Sequence, residues 1–269
     1  MKTSWDYNEN LFEELIKFIK SKNGDPKNPE SICHFDQIHA GGFKATSHII
    51  SLSNVTENTT LLDLGGGIGG VARMFASKLN CKVVSLDYSL NYNITGKKLT
   101  DLCNVKNVFF INADATSIPL KNNSIEFILL QHLNMNIRNK EKLFQECSRV
   151  LKKNGTIIFH EWFIKDDIKQ KTLNFPLPWS DTKEFSFLIK LKEFLALALK
   201  YGFEIVNLED DSNQGLKFYK KIYTEKNFSN PIFSKRDPER IFENIISALE
   251  DNILELYIGI LKLTDKIIS

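Results

Sequence analysis

An apolar run, Leu61-Leu62-Asp63-Leu64, enters the glycine cluster Gly65-Gly66-Gly67-Ile68-Gly69-Gly70, and a second, Lys82-Val83-Val84-Ser85-Leu86-Asp87, stops on an acid. Glycine permits a sharp turn and a close approach to a ligand because no Cβ intervenes. An acid about twenty residues past the glycines can accept both hydrogen bonds of a ribose diol. The pair reads as the first β-α-β of a nucleotide-binding sheet. Gly65, Gly67 and Gly70 fit the G-x-G-x-x-G of a dinucleotide site. Asp63, Gly65, Gly67 and Gly69 fit a second pattern, acid-x-G-x-G-x-G. Asp63 discriminates between ligands, because it repels a pyrophosphate and suits a group that carries an ammonium.

The rest of the chain extends the alternation. Short apolar runs at 60–64, 82–87, 108–112, 125–130 and 156–160 are separated by helical stretches at 68–79, 90–102 and 140–151. This argues a parallel sheet covered on both faces. Leu11, Phe12, Leu15, Ile16 and Ile19 predict an N-terminal helix within 7–20. Gly155 reads as a helix exit. The rhythm breaks over 162–186, which is polar and carries Pro176 and Pro178. A helix is expected over 188–201, an antiparallel pair from 203–208 and 216–223, and a helical tail over 238–268. The expected division is an N-terminal cap (1–58), a core (59–223) with 162–186 as an inserted lid, and a C-terminal helical extension (224–269). Long irregular connections are usually functional or disordered, so 166–181 is expected to be mobile.

Composition narrows the function classes. The 35 basic and 33 acidic residues nearly cancel, so net charge does not imply nucleic acid. Cys33, Cys81, Cys103 and Cys147 form no C-x-x-C and have no histidine cluster beside them, so no metal is expected and buried free thiols are. The polar N-terminus lacks a signal-peptide core, and no apolar run reaches the length of a membrane span. The expectation is a cytoplasmic monomer or homodimer acting on a small molecule.

Taken together, Asp63 to Gly70, Leu86-Asp87, Asn112-Ala113-Asp114-Ala115 and Arg149 to Gly155 resemble four successive motifs of class I S-adenosylmethionine (SAM) methyltransferases. Three further stretches, Asp36 to Gly42, Gln131 to Ile137 and Phe175 to Ser180, resemble the branch that includes sarcosine/dimethylglycine N-methyltransferases, a neighbour of the phosphoethanolamine methyltransferases. The resemblance runs from about 36 to 209. It implies a Rossmann-like α/β fold: a seven-stranded, mostly parallel sheet with its last strand antiparallel, helices on both faces and an N-terminal helical lid. Gly66 departs from the pattern, standing where Cys or Ser is frequent.

The resemblance also implies roles. SAM is the expected cofactor and S-adenosylhomocysteine its product. Asp63, Gly65, Gly66, Gly67 and Gly69 would shape the methionine end, Asp87 would hold the ribose, and Tyr88 would lie against the adenine. Asp114 would accept from the adenine amino group, with the Ala115 N–H facing a ring nitrogen. Gln37, Gly41 and Gln131 complete the expected cofactor set. His132 and His160 are candidate bases for an amine acceptor, and Trp5, Tyr7, Trp162 and Trp179 could shelter a cationic product. The rival readings are O- or C-methylation of a quinone, sterol or natural product, and a catalytically silent SAM-fold binding protein. A nicotinamide oxidoreductase is disfavoured, since the chain has no Tyr-x-x-x-Lys.

Overall fold

The computed structural model describes residues 8–165 and 172–264. Seven strands form one sheet in the order β3-β2-β1-β4-β5-β7-β6: β1 (Thr60–Leu64), β2 (Lys82–Asp87), β3 (Val108–Asn112), β4 (Ile125–Gln131), β5 (Leu151–Ile164), β6 (Phe203–Asp210) and β7 (Leu254–Leu263). The first five pair in parallel, and β7 runs antiparallel to both β5 and β6. Strand order reverses between β1 and β4. Ligands of open α/β sheets bind in the crevice at the carboxyl ends of strands at such a reversal. The glycine cluster follows β1 and His132 follows β4, so the topology brings them to one place.

Helices cover both faces. α3 (Gly42–Leu52) and α4 (Gly70–Leu79) pack on one side, through Ile49, Ala72 and Phe75. On the other side α6 (Lys140–Val150) and α7 (Leu191–Lys200) contribute Phe144, Cys147, Phe194 and Ala198. α1 (Leu11–Ser21) buries Leu11, Leu15 and Ile19 at four-residue spacing. Its first turns meet Ile68 of the glycine loop and Leu99 of α5 (Leu90–Leu102). A further helix, α2 (Pro29–Asp36), starts where the Asn28 side chain accepts from the Glu30 N–H and Pro29 takes the first turn. All four cysteines are free and buried.

The C-terminal third differs from the sequence expectation. Residues 216–223 are not a strand but part of α8 (Ser212–Thr224), where Gly215 and Tyr219, four apart, face inward. The tail over 238–268 is not one helix. α9 (Pro238–Glu250) ends at Asp251-Asn252, with Asn252 at φ +55°, and the chain returns as β7. Ile253 and Leu256 continue the spacing of the α9 apolar face, which hid the alternation Leu254, Leu256, Ile258. Within the expected helical extension, the described residues 224–264 hold α9 and then an interior strand. Gly155 does not end a helix either. α6 stops at Val150, and Gly155 lies in a bulged start of β5, where the register jumps from Leu151 to Thr156.

Within 162–186, residues 162–164 belong to β5, and Leu177, Trp179 and Ser180 are buried. Arg236 donates to the Leu177 and Pro178 carbonyls and pairs with Asp181, while Asn244 donates to the Pro176 carbonyl. This part of the expected mobile lid is packed against the α9 region. Residues 166–171 lie outside the described residues.

Candidate active site

The cofactor end is built around the loop after β1. Gly65, Gly67 and Gly69 adopt φ of +75°, +54° and +74°. The Gly65 and Gly66 N–H groups donate to the Leu86 carbonyl at 2.8 and 3.1 Å. Asp87 fastens the next turn, with Oδ2 accepting from the Gly67 N–H at 2.9 Å and Oδ1 from the Ser89 N–H at 2.8 Å. The Asn112 amide ties the end of β3 to the Asp87 and Tyr88 carbonyls. Asp87 is thus a loop clamp before it meets any ligand, a role the ribose reading did not include.

The departure at Gly66 has a steric cause. A Cβ there would lie 2.1 Å from the Ser85 Oγ and 2.8 Å from Asp63 Oδ2. Ser85 fills, from β2, the space that a side chain at position 66 would need. Gly96 in α5 also has a reason: a Cβ would stand 2.6 Å from the Phe110 ring and 2.9 Å from the Ile68 carbonyl oxygen. It lets α5 close on the loop despite its helix penalty.

Asp63 is 2% exposed, and its Oδ2 has no hydrogen-bond partner among the described residues. Burial first, and the Asp87 carboxylate second, push its pKa up to about 7. A buried acid of this kind lacks a cation. The donor set therefore fits the sulfonium cofactor, whose amino-acid end carries an ammonium. Tyr88 offers an exposed ring beside Asp87. Asp114 is exposed, and its Oδ1 accepts from the Thr116 N–H and hydroxyl, both at 2.7 Å. It closes a local turn, so its suggested adenine contact depends on the other oxygen. Ala115 is buried in the core. Gln37 lies on α4, donating to the Gly70 carbonyl at 3.3 Å, with its Oε1 unpartnered. Gly41, at φ +75°, caps α3.

The acceptor end is a cluster of three imidazoles. His132 stands 5.0 Å from His160, 5.7 Å from His39 and 5.6 Å from Trp162, between ring centres. β4–β5 pairing sets Gln131 beside His160. The Gln131 amide nitrogen lies 3.2 Å from both His160 Nδ1 and His39 Nδ1. His160 is fully buried, and its Nε2 donates to Asp211 at 3.1 Å. A carboxylate only accepts, so the Nε2 proton is placed by Asp211 and Nδ1 is left to accept from Gln131. Both His160 nitrogens are therefore engaged. His132 differs: it is half-buried and its Nε2 has no partner among the described residues. Burial, then His160 and His39, hold its pKa well below the ordinary imidazole range, and His39 is lowered to about 3 by burial and His160. His132 and His39 are therefore neutral at physiological pH. The described residues contain no group of three or more His, Cys, Asp or Glu able to hold a metal.

The two ends touch. A Cβ on Gly65 would meet Leu133 Cδ1 at 2.9 Å, so the turn carrying His132 rests on the glycine loop. Trp162 is fully buried and stacks between Trp179 (6.0 Å) and Tyr219 (6.2 Å). Trp179 donates to the Ser186 hydroxyl and lies behind Trp162. Of the expected aromatic shelter, Trp162 adjoins His132, and Trp179 is the other member among the described residues. Trp5 and Tyr7 lie outside the described residues. Asp211 and Glu161 escaped the sequence reading. An acid within the apolar run that follows His160 was the available signal for Glu161, while nothing local marked Asp211.

Comparison with known proteins agrees. The family described as a methyltransferase domain matches residues 62–159. A phosphoethanolamine N-methyltransferase of Plasmodium falciparum is 30% identical, over 46% of this chain and 47% of its own length. A sarcosine/dimethylglycine N-methyltransferase of Halorhodospira halochloris is 25% identical, over 61% and 58%. The chain thus spans about half the length of the curated relatives it matches. The crystal structure of a protein provisionally assigned as a sarcosine dimethylglycine methyltransferase, from Galdieria sulphuraria, superposes with a TM-score of 0.71 at 22% identity, over 83% of this chain and 86% of that one. No helix among the described residues is long and apolar enough to cross a membrane. Residues 62–159, on a Rossmann-like sheet, match a methyltransferase domain, and the chain is similar to sarcosine/dimethylglycine and phosphoethanolamine N-methyltransferases.

Proposed function

We propose that the protein is a SAM-dependent methyltransferase acting on the nitrogen of a small amine. The observation that carries this reading is the Nε2 of His132, without a partner among the described residues, on a neutral imidazole just past β4, in a turn whose Leu133 rests on the glycine loop. SAM, when bound, supplies an electrophilic methyl group on a sulfonium. The chain supplies placement. Asp63 pairs with the ammonium, Gly65 to Gly69 let the backbone approach, and Asp87 holds the loop and the ribose.

An amine attacks only through its lone pair, so an ammonium must first lose a proton. His132 Nε2 would accept it. With SAM bound, the freed nitrogen pair would form the N–C bond as the C–S pair goes to sulfur. Alignment and exclusion of water provide the rest of the acceleration. His160, with both nitrogens occupied, positions Gln131 and the cluster and is not the free base.

Labelled-methyl transfer from SAM to glycine, sarcosine, dimethylglycine, phosphoethanolamine and hydroxylated aromatics tests the reading. Label is expected on an amine nitrogen. His132→Ala should lower turnover about 10²- to 10⁴-fold, the range of general-base loss, with SAM affinity kept. Label on carbon or oxygen only, or normal turnover in His132→Ala, would reject the amine-and-base reading.

A further inference from the structure

The His132 turn is held by a buried acid with no assigned role. The β4–β5 ladder ends where the His132 N–H donates to the His160 carbonyl at 3.0 Å. His132 then takes φ +55°, and the chain leaves the strand. The next two N–H groups, of Leu133 and Asn134, are buried and have no ladder partner. Buried backbone donors require acceptors. Both find them on one side chain: Glu161 Oε1 accepts from Leu133 at 2.9 Å, and Oε2 from Asn134 at 3.0 Å.

Glu161 is fully buried and follows His160 on β5. Burial raises its pKa to about 8, against the opposing pull of the two N–H groups and of Lys140. Lys140 holds the far side of the same turn, donating to the Ile137 carbonyl at 2.6 Å and to the Phe187 carbonyl. An acid is expensive to keep in such a place. A neutral amide could not replace it cleanly, because it would present one acceptor and turn an NH₂ toward a backbone N–H.

We propose that Glu161 is the positioning residue for His132: its two carboxyl oxygens, acting through the backbone of Leu133 and Asn134, hold the imidazole against Trp162. The proposal rests on His132 being the base. Glu161 itself is placed on backbone and not on the reacting atoms.

The test is a double-mutant cycle with Glu161→Gln and His132→Ala, using the most active amine of the panel above as acceptor. Alone, Glu161→Gln should lower kcat roughly a hundred-fold, the scale of a small misplacement of a reacting group, while SAM affinity by calorimetry is unchanged. In the His132→Ala background it should lower kcat no further. Glu161→Asp, which keeps two carboxyl oxygens, should recover part of the loss relative to Glu161→Gln. An equal drop in both backgrounds, or none in either, overturns the proposal.

NMR of the unreacted protein separates this failure from failure of the base reading. Glu161→Gln should shift the Leu133 and Asn134 amide protons upfield and move the His132 ring signals. If His132→Ala keeps full turnover, the base reading falls, yet these shifts still decide whether Glu161 sets the imidazole. Unmoved His132 signals would sink the positioning role whatever the kinetics. If Glu161→Gln does not fold, the same signals are read in Glu161→Asp.

Discussion

The cofactor end and the acceptor end of this site are assembled in opposite ways. At the cofactor end, the parts lie within about one β-α-β unit: Asp63, the glycines, Ser85 and Asp87 span twenty-five residues. Adjacent strands bring them together, and the loop is fastened by Leu86 and Asp87. At the acceptor end, His39, the pair Gln131-His132, His160 and Asp211 come from four places in the chain and meet only through the sheet and its cap. One end depends on loop stereochemistry, the other on long-range packing. Perturbations should therefore separate them, except where a contact joins the two.

Arg73 is such a contact, and it should show the largest effect. It lies on α4, just past the loop. It pairs with Asp36 at 2.6 Å, with both side chains 1% exposed, one residue before Gln37 and three before His39. It also donates to the Gly96 carbonyl and Thr100. Arg73→Ala leaves a buried carboxylate alone, which typically costs about 3–5 kcal/mol. Urea unfolding should show that loss, and both SAM affinity and turnover should fall. A loss well below that range would mean that Asp36 is relieved by taking up a proton.

Asp87→Ala should act on one end only. SAM binding should weaken by about 1.5–3 kcal/mol, the scale for hydrogen bonds to a charged group, with turnover at saturating SAM little changed. An unaltered dissociation constant in a folded variant would remove Asp87 from the cofactor site. Gly66→Ala tests the local packing. Its methyl would collide with Ser85, so a cost of about 1–3 kcal/mol is expected, as for overpacked sites. Adding Ser85→Ala should restore most of it in thermal melts. If it does not, the contact with Asp63 is the one that matters.

The smallest effect is a pH dependence. With its pKa raised to about 7, Asp63 must lose a proton before it can pair with an ammonium. SAM affinity should rise with pH up to about 7 and flatten above, each unit below costing at most about 1.4 kcal/mol. Asp63→Asn should remove the slope. The same raised pKa makes the folded state bind this proton more tightly than the unfolded one. Its contribution to stability is therefore greatest at low pH and declines as pH rises from the ordinary carboxylate range to 7. A rise in stability from Asp63 across that window would contradict the burial argument.

Much of the fold was legible in the sequence because it is written locally. The bounds of β1, β2 and β3 follow from apolar runs that end in glycines or acids, and α1 follows from four-residue spacing. The C-terminal third was not legible. Residues 216–223 carry aromatic and β-branched side chains that suit a strand, yet they belong to α8, which turns Gly215 and Tyr219 inward. The antiparallel partner of β6 is β7, seated between β5 and β6, and it comes from 254–263, far along the chain from 216–223.

The candidate site divides the same way. The sequence by itself determined the cofactor loop and the acid that clamps it, because those contacts depend on short-range backbone geometry and on residue types that few other conformations tolerate. It also picked out His132, just past β4, and His160, which it took as the end of a strand that in fact runs on to Ile164. Only the tertiary structure distinguishes their surroundings. Asp211, fifty-one residues on, occupies His160, whereas Glu161 turns the backbone at His132 and leaves its Nε2 without a partner. The state of a titratable group is set by what surrounds it in space, and distant segments supply those surroundings only once the chain has folded.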